Sequence, residues 1–403
     1  MDTHTNDDQH TIAPTTDSSP KHRIPFEFTG NAREYFSIWI VNVLLTILTL
    51  GIYSPWAKVR TLQYFYGNTR LNDVSFRYLA SPMQILKGRV IALVFFAAYY
   101  FSGLISPLAT GITIGVIALL IPAMVVMSMS FQLRNTAYRN IKFNFRKNFK
   151  RAYTIFAYPL LLTILYFLFV AYFQDNFLPT AAAAENETET PPPSIFSSLF
   201  SFVILPLLPI VCLFPLWQYM IIKLKSSHAC FGLADFSFSG TVGSLYSIYI
   251  KAFLVISVFG LLAVFAFNEL RDIVTVEQWL FNLFIIPLLG FILALPLYLW
   301  LLSYIQTKKT NFIFGNLGIA EHRVQSDLKV GAMLYLYVTN TLAIAISLGL
   351  LMPWAKIRTA RYRAQMTSVI VTGDLDNFFG VQPEGQSAFG EEMGEVFDMG
   401  LGV

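Results

Sequence analysis

Eight long apolar stretches constrain the fold of this chain more than any other feature of its sequence. Each has about the ~20 residues that a helix needs to cross a bilayer. Only 13% of the 403 residues are charged, whereas soluble domains contain about 25%. The sequence therefore predicts an integral membrane protein without a large soluble domain. The stretches are roughly residues 36–53, 90–109, 111–129, 152–173, 195–222, 248–267, 279–304 and 330–352.

Basic residues are concentrated in particular connections between these stretches. The connections after the first and third stretches are strongly basic, and the second of these contains no acid. The connection over 175–194 contains Glu185, Glu187 and Glu189 and no base. By the positive-inside rule, the two basic connections are cytoplasmic and the acidic one faces the other side. Basic residues after the last stretch predict a cytoplasmic C-terminus.

The first and last stretches do not fit this pattern, because each has basic residues on both sides. Two topologies are open. In the one we favour, segments 36–53 and 330–352 are embedded or re-entrant, and the other six are full spans. Re-entrant backbone must be covered by protein or water, so both segments would pack against the bundle. In the alternative all eight segments cross, and the charge rule fails at one end.

A duplicated sequence links these two exceptional stretches. Residues 51–61 read GIYSPWAKVRT and residues 349–359 read GLLMPWAKIRT. A wider repeat places a small residue fourteen positions after a proline in five stretches, which indicates a copied unit. The five pairs are Pro55 and Thr69, Pro122 and Thr136, Pro215 and Ala229, Pro296 and Thr310, and Pro353 and Thr367.

Short segments after these prolines alternate apolar and polar residues. Val74, Phe76 and Tyr78 alternate with Ser75 and Arg77, and this period of two predicts a strand. Similar segments lie at 24–28, 141–145, 236–238, 312–314 and 367–371. Because all of them fall on the cytoplasmic side, we expect them to pair into one sheet, which would satisfy their exposed edges.

The predicted fold class is an all-α polytopic membrane protein with internal repeats. It has six full spans, two related embedded or re-entrant segments and a small cytoplasmic β-sheet. The predicted domains are a disordered N-terminal tail over 1–23, a membrane domain over 24–372 and an acidic C-terminal tail over 373–403.

Four motifs in the first part of the chain are distinctive: residues 34–36 (EYF), 51–60 (GIYSPWAKVR), 64–69 (YFYGNT) and 86–89 (LKGR). They resemble the YjgN family of bacterial inner-membrane proteins. The resemblance covers nearly the whole chain, including the second Pro-Trp-Ala-Lys sequence. It implies a multi-pass protein of the bacterial cytoplasmic membrane, in a family of unknown function, and it transfers no catalytic residue to this chain.

The two Pro-Trp-Ala-Lys copies are the main candidates for a binding site. Each provides an indole and two cations where we expect a helix to leave the membrane. Tryptophan favours that interface, and each cation near an anionic leaflet contributes about 1 kcal/mol. These residues either anchor the helix or bind a lipid headgroup or phosphate. They are Trp56, Lys58 and Arg60 in the first copy, and Trp354, Lys356 and Arg358 in the second.

Asn42 and Asn340 lie at matching positions within the two exceptional stretches. Their amides either form interhelical hydrogen bonds that fix packing or face a shared polar pathway. Ionisable groups are nearly absent from the middle of the predicted spans. A transporter driven by protons or sodium usually needs such groups, so that class is disfavoured.

Nothing in the sequence indicates catalysis. His228 and His322 have no neighbouring ligand at metal-binding spacing. We therefore predict no enzyme activity, metal, cofactor or nucleic-acid partner. The predicted function is transport or handling of a lipid or other amphiphile, with anionic headgroups as partners. The alternative is a non-catalytic scaffold that binds a protein through its basic cytoplasmic face.

Overall fold

The computed structural model describes residues 21–177, 205–273 and 286–373. Nearly all of both predicted tails, and most of the acidic connection over 175–194, lie outside the described residues. The first described strand begins at Lys21, within the last part of the predicted N-terminal tail. Within the described residues the chain forms five consecutive units, and each contains a strand, two helices and a second strand.

The bounds of the five units follow the chain. The first unit is β1 (Lys21–Phe28), α1 (Ala32–Leu48), α2 (Ser54–Gly67) and β2 (Thr69–Leu71). The second is β3 (Val74–Tyr78), α3 (Pro82–Ile105), α4 (Pro107–Arg134) and β4 (Thr136–Tyr138). The third is β5 (Ile141–Phe145), α5 (Phe149–Phe177), α6 (Leu205–Ser227) and β6 (Ala229–Phe231). The fourth is β7 (Ala234–Phe238), α7 (Val242–Ile273), α8 (Ile286–Gly315) and β8 (Leu317–Ile319). The fifth is β9 (His322–Ser326), α9 (Val330–Ile346), α10 (Met352–Gln365) and β10 (Thr367–Thr372).

The ten strands form a closed antiparallel β-barrel. The two strands of each unit pair with each other, and two-residue turns join each unit to the next. The barrel closes where β1 pairs with β10, from Lys21 opposite Thr372 to Pro25 opposite Ser368. The predicted fold class, with its small cytoplasmic sheet, is therefore wrong, because the strands close on themselves and leave no edge.

The sheet was underestimated chiefly because four of its ten strands are too short to show a pattern. The strands β2, β4, β6 and β8 contain three residues each, whereas an alternation becomes recognisable over about four to eight residues. The sequence therefore predicted one strand per unit. The structure has two, and this doubling supplies enough strands for closure.

Apolar side chains fill the barrel. Tyr138 and Phe231 are each 3% exposed, and the Tyr138 hydroxyl donates a hydrogen bond to the Leu71 carbonyl at 2.6 Å. Small barrels are commonly filled in this way rather than forming a pore. The packed cluster contains Leu71, Tyr138, Phe231, Val369, Val371, Ile24, Phe26, Val74, Phe76, Ile141, Phe143, Phe236 and Ile319.

The helices form a ring that follows the order of the barrel. Each helix packs against the helices before and after it in the chain, and α10 packs against α1. The second helix of each unit also packs on a strand of the barrel, for example α2 on β3 and α10 on β1. The ring and the barrel are therefore closed at the same place, between the fifth unit and the first.

The five units share one structural register. The same position near the start of the first helix is buried in every unit, with relative exposure of 1% or less. It is occupied by Tyr35, Ile85, Ala152, Leu245 and Met333. A backbone hydrogen bond within each unit, from the residue after its first strand to the residue before its second strand, also recurs, for example from Thr29 N–H to Asn68 O at 2.9 Å and from Leu79 N–H to Asn135 O at 2.9 Å. The predicted internal repeat is thus a structural unit.

The fourth unit differs from the sequence prediction. Residues 312–314 were predicted to form a strand, but they lie in α8. The strand β8 begins at Leu317, fourteen residues after Ser303 rather than after Pro296. Ser303 is fully buried, as are Pro55 and Pro353 at the equivalent position. The proline spacing therefore identified four units correctly and placed the fourth of the five out of register.

Six helices among the described residues are long and apolar enough to cross a membrane, and they coincide with stretches two to seven. The first and fifth units instead contain short helix pairs. At 1.5 Å per residue, α1 and α2 rise about 26 and 21 Å, whereas α3 and α4 rise about 36 and 42 Å. All five helix pairs have both outer ends at the barrel.

The filled barrel predicts a sharp contrast between two neighbouring residues. We expect Phe231→Ala to lower the free energy of unfolding by about 3–5 kcal/mol, because it opens a cavity in the barrel. Leu233→Ala, at a turn position that is 63% exposed, should change it by less than about 0.5 kcal/mol. Thermal unfolding in detergent measures both. Equal effects would contradict a packed barrel interior.

The barrel should also lose stability in mild acid. His322 is 4% exposed, and burial lowers its pKa below the ordinary 6.5. The unfolded chain then binds the proton at higher pH than the folded chain. The stabilisation is therefore complete above about pH 6.5 and declines as the pH falls toward the lowered pKa. We expect His322→Gln to flatten the melting-temperature profile between about pH 7 and pH 5, while His22→Gln, at an exposed position, leaves it unchanged. Identical profiles for the wild type and His322→Gln would refute this.

Candidate amphiphile-binding groove

The two short helix pairs have the same turn. Both reverse direction through a leucine and a glycine with positive φ, at 48° and 91° for Leu50 and Gly51 and at 50° and 94° for Leu348 and Gly349. Glycine adopts this conformation without steric cost. The turn therefore explains why both copies of the duplicated sequence begin with a glycine. We call residues 48–52 and 346–350 the hairpin tips.

The tip structure sets where the candidate residues lie. Pro55 and Pro353 lie in the first turn of α2 and α10. A backbone N–H in the first turn has no acceptor within the helix, so proline removes no helical hydrogen bond there. The tryptophan and basic residues follow directly in each returning helix. They therefore start near the hairpin tips and continue toward the barrel. The sequence interpretation had placed them where a single helix leaves the membrane.

Arg358 is held between two aromatic rings. Its guanidinium carbon lies 5.2 Å from the ring centroids of both Trp354 and Tyr335. Its Nη1 donates hydrogen bonds to Thr339 Oγ1 at 2.5 Å and to Asn340 Oδ1 at 3.4 Å. All of these partners are neutral, and within residues 21–177, 205–273 and 286–373 no acidic side chain pairs with this guanidinium. Lys356, two residues earlier, is exposed.

The first copy is built more loosely. Arg60 is exposed, and its guanidinium lies 5.9 Å from the Tyr53 ring. Tyr53 in turn stacks on Trp56 with centroids 6.0 Å apart, and Lys58 is exposed. The position equivalent to Tyr335 is Ser37, which has no ring, and the position equivalent to Thr339 is Val41, which has no hydroxyl. The duplicated motif therefore has different surroundings in its two copies.

The two candidate asparagines also differ. Asn340 is 7% exposed, and its Nδ2 donates hydrogen bonds to Thr359 Oγ1 at 3.1 Å and Ala355 O at 3.4 Å. Asn340 thereby joins α9 to α10. Asn42 is 4% exposed, and neither of its amide atoms has a partner among the described residues. The two residues lie in separate helix pairs.

A groove runs beside Arg358 where α1, α9 and α10 meet. It has a volume of about 420 Å³ and extends from the barrel end of α10 to Trp354 near the tip. Its lining combines guanidinium and amide groups with an apolar wall, and none of the lining residues in the described part of the chain is a carboxylate. The lining residues are Asn31, Ala32, Leu336, Trp354, Ile357, Arg358, Arg361, Tyr362 and Gln365.

Arg361 is the groove residue that sequence reasoning missed. Its Nη2 donates a hydrogen bond to Gly30 O at 3.1 Å across the boundary between the fifth and first units. It lies three positions after Arg358 in the sequence, so both side chains lie on one face of α10. That spacing was visible in the sequence, but nothing there showed that α10 and α1 are neighbours.

The pair of guanidiniums is specific to the fifth unit. In the other units the two equivalent positions hold at most one cation. The residue pairs in order are Arg60 and Gln63, Met127 and Ser130, Met220 and Lys223, Lys308 and Asn311, and Arg358 and Arg361. The other four units therefore serve as internal comparisons for the fifth, since they share its fold but lack its pair of arginines.

Other basic residues join consecutive second helices through glutamine. Lys225 Nζ donates to Gln132 Oε1 at 3.2 Å, and Lys309 Nζ donates to Gln218 Oε1 at 2.7 Å. Arg363 Nη2 donates to Gln306 Oε1 at 2.7 Å. The described residues contain no group of three histidine, cysteine or acidic side chains that could hold a metal ion.

Comparison with known proteins assigns this architecture to a family. Residues 23–396 match the family model described as "Bacterial protein of unknown function (DUF898)". The chain belongs to the DUF898 family. The match includes all five units, and the resemblance to YjgN proteins found in the sequence is confirmed.

Relatives of this DUF898 protein are named for their location. The inner membrane protein YjgN of Salmonella typhimurium is 27% identical over 384 residues, covering 89% of this chain and 91% of the relative. The protein of the same name in Escherichia coli O157:H7 is 26% identical over 384 residues, covering 89% and 90%. That of Escherichia coli strain K12 is 34% identical over 152 residues, covering 36% of each chain. The chain is accordingly an inner-membrane protein. No solved structure matches it.

The asparagines offer a matched test of their roles. We expect Asn340→Leu to lower the free energy of unfolding by about 1–3 kcal/mol, because it removes two donated hydrogen bonds and one acceptor of Arg358. Asn42→Leu should be neutral or stabilising, because it replaces a buried amide that lacks a partner. Thermal unfolding of both variants in detergent measures this. A large loss for Asn42→Leu would show that its amide has a partner.

Proposed function

We propose that this protein binds and handles a lipid or other amphiphile with an anionic headgroup, and that the groove between α1, α9 and α10 is its binding site. The observation that carries this proposal is the pair Arg358 and Arg361 beside an apolar wall. A guanidinium fork matches the geometry of a phosphate oxygen pair. Trp354, which is 38% exposed, provides the accessible apolar surface of the groove, and Leu336 and Ile357 are buried behind it at 6% and 3% exposure; this apolar wall suits an acyl chain.

The charge of the groove supports an anionic ligand. Both guanidiniums bond to neutral oxygen atoms, and the described residues that line the site include no carboxylate. Each cation near an anionic membrane surface contributes about 1 kcal/mol to its attraction. Placing the barrel in the cytoplasm, as the basic connections predict, would put the barrel end of the groove near the inner leaflet headgroups.

The filled barrel supports handling of a membrane-soluble ligand over conduction of a water-soluble one. Side chains occupy the barrel interior, so a polar solute would have to displace packed aromatic rings. A lipid has no need to cross the barrel, because it reaches the groove from the bilayer.

A scaffold role is the second candidate, and one observation favours it. The outward positions of the strands carry exposed basic side chains opposite the buried aromatic positions, as with Arg70, Arg77 and Lys142. This surface suits an acidic protein partner. A partner that binds there would depend on these residues and not on Arg358 or Arg361.

Lipid retention by the purified protein tests the proposal. We expect the double variant R358Q/R361Q to bind phosphatidylglycerol about 10- to 30-fold more weakly than the wild type, as loss of two such contacts implies. Native mass spectrometry and vesicle binding measure this, with phosphatidylcholine and inorganic phosphate as comparison ligands. Competition by free phosphate alone would identify a phosphate site that does not require a lipid.

The matched control is R70Q/R77Q, which removes the same charge from the outside of the barrel. It should retain the bound lipid, and both variants should keep the helical circular dichroism of the wild type. Equal loss of lipid in both double variants would attribute binding to net charge and contradict a specific groove. R361Q alone tests the site without disturbing the hydrogen bonds of Arg358.

A further inference from the structure

The closure of the ring places the two short helix pairs side by side. α10 packs against α1, so α9, α10, α1 and α2 are consecutive members of the ring. The full-length helices α8 and α3 flank this group. Among the described residues, no helix stands between α8 and α3 beyond the hairpin tips. The ring of helices is therefore lower on this side, where its wall ends at the hairpin tips. We call this difference in height between the short and the full-length helices the step.

The register of the units gives the height of the step. In α3 the charged residue nearest the far end is Arg89, and its equivalent in α1 is Trp39. From Trp39 to the end of α1 at Leu48 is about 14 Å of helix. The hydrocarbon core of a bilayer is about 30 Å thick. If the basic residues of the units share one depth, the tips lie near the middle of the membrane.

The tips have the chemistry expected at that depth. Leu50 is 95% exposed and Leu348 is 94% exposed, and Ile346 and Leu48 are also largely uncovered. Apolar side chains at the end of a tight turn are unfavourable in water and favourable in hydrocarbon. Both copies keep the leucine next to the glycine, although a leucine with positive φ is uncommon.

The full-length helices expose apolar residues on more than one side. Tyr99, Tyr100 and Phe101 are consecutive in α3 and are 46%, 59% and 60% exposed. Successive helical residues are about 100° apart, so a single lipid-facing side cannot hold all three. No more than 18% of the apolar window of any span is buried. The ring is therefore a thin wall with apolar surface on both sides, above a barrel that is closed by its side chains.

We propose that the step above the two hairpin tips is a lateral opening through which membrane lipid reaches the apolar interior of the helix ring. The occupant is a phospholipid whose acyl chains lie over Leu50 and Leu348. This inference rests on the proposed function for its ligand class, since the groove with Arg358 and Arg361 lies in the same short pairs. It adds a route and a second location for the ligand.

Depth measurements test the position of the tips. In a C212S/C230S background, L50C and L348C are labelled with a fluorophore and placed in vesicles whose lipids carry spin labels at the headgroup or at the middle of the acyl chain. We expect at least about threefold stronger quenching by the mid-chain label. M83C, at an exposed position six residues on the barrel side of Arg89 in α3, should respond more to headgroup labels. Stronger headgroup quenching at both tips would overturn the proposal.

The width of the opening is tested separately. Spin labels at Phe101 in α3 and Phe291 in α8, both strongly exposed, report the distance across the step. Neighbouring packed helices are about 8–10 Å apart, so we expect a distance of more than about 20 Å if four short helices separate them. A distance near 10 Å would show that α3 and α8 close over the tips and would refute an opening.

The two proposals can fail independently. Both measurements are repeated in the R358Q/R361Q background, where we expect mid-chain quenching and the wide distance to persist. Persistence there, together with unchanged phosphatidylglycerol binding, would support the opening and reject the groove as the headgroup site. Loss of lipid binding with tips at headgroup depth would support the groove and reject the opening.

Discussion

The pairing of β1 with β10 is the contact on which the rest of the structure depends. The other unit boundaries are covalent two-residue turns, but this one is made only of noncovalent interactions between the two ends of the described chain. It is accordingly the longest pairing in the barrel. Arg23 reinforces it, with hydrogen bonds to Ser368 Oγ at 2.9 Å and to Asp327 at 2.6 Å. The amide of Gln325 and this guanidinium lower the pKa of Asp327, so the ion pair persists well into the acid range.

Local patterns could be predicted from the sequence, and their assembly could not. The alternation at Val74, Phe76 and Tyr78 identified a strand, because alternate side chains face opposite sides. Three-residue strands such as β2 leave no such pattern, and barrel closure depends on pairing between residues about 350 positions apart. The proline spacing failed where Ser303 replaces proline. A buried position in the second helix of a unit requires a small side chain, which residues other than proline can supply.

The candidate site shows the same limit. The repeat identified Trp354, Lys356 and Arg358 as counterparts of Trp56, Lys58 and Arg60. It could not show in which copy the arginine is held by neighbouring side chains. That difference comes from Tyr335 and Thr339, which lie outside the duplicated sequence and contact Arg358 only when α9 folds against α10. Arg361 gained significance only through its bond to Gly30 at the closure. Divergence around a repeated motif was more informative than the motif itself.

The position of the closure has a consequence for how the protein is made. β1 emerges first from the ribosome and pairs with β2, but its other edge has no partner until β10 is synthesised. Throughout translation the growing chain therefore presents two open strand edges, which are prone to pairing with other chains. Only a chain that extends through β10 removes both at once. A chain truncated before β10 would retain these edges at the barrel end.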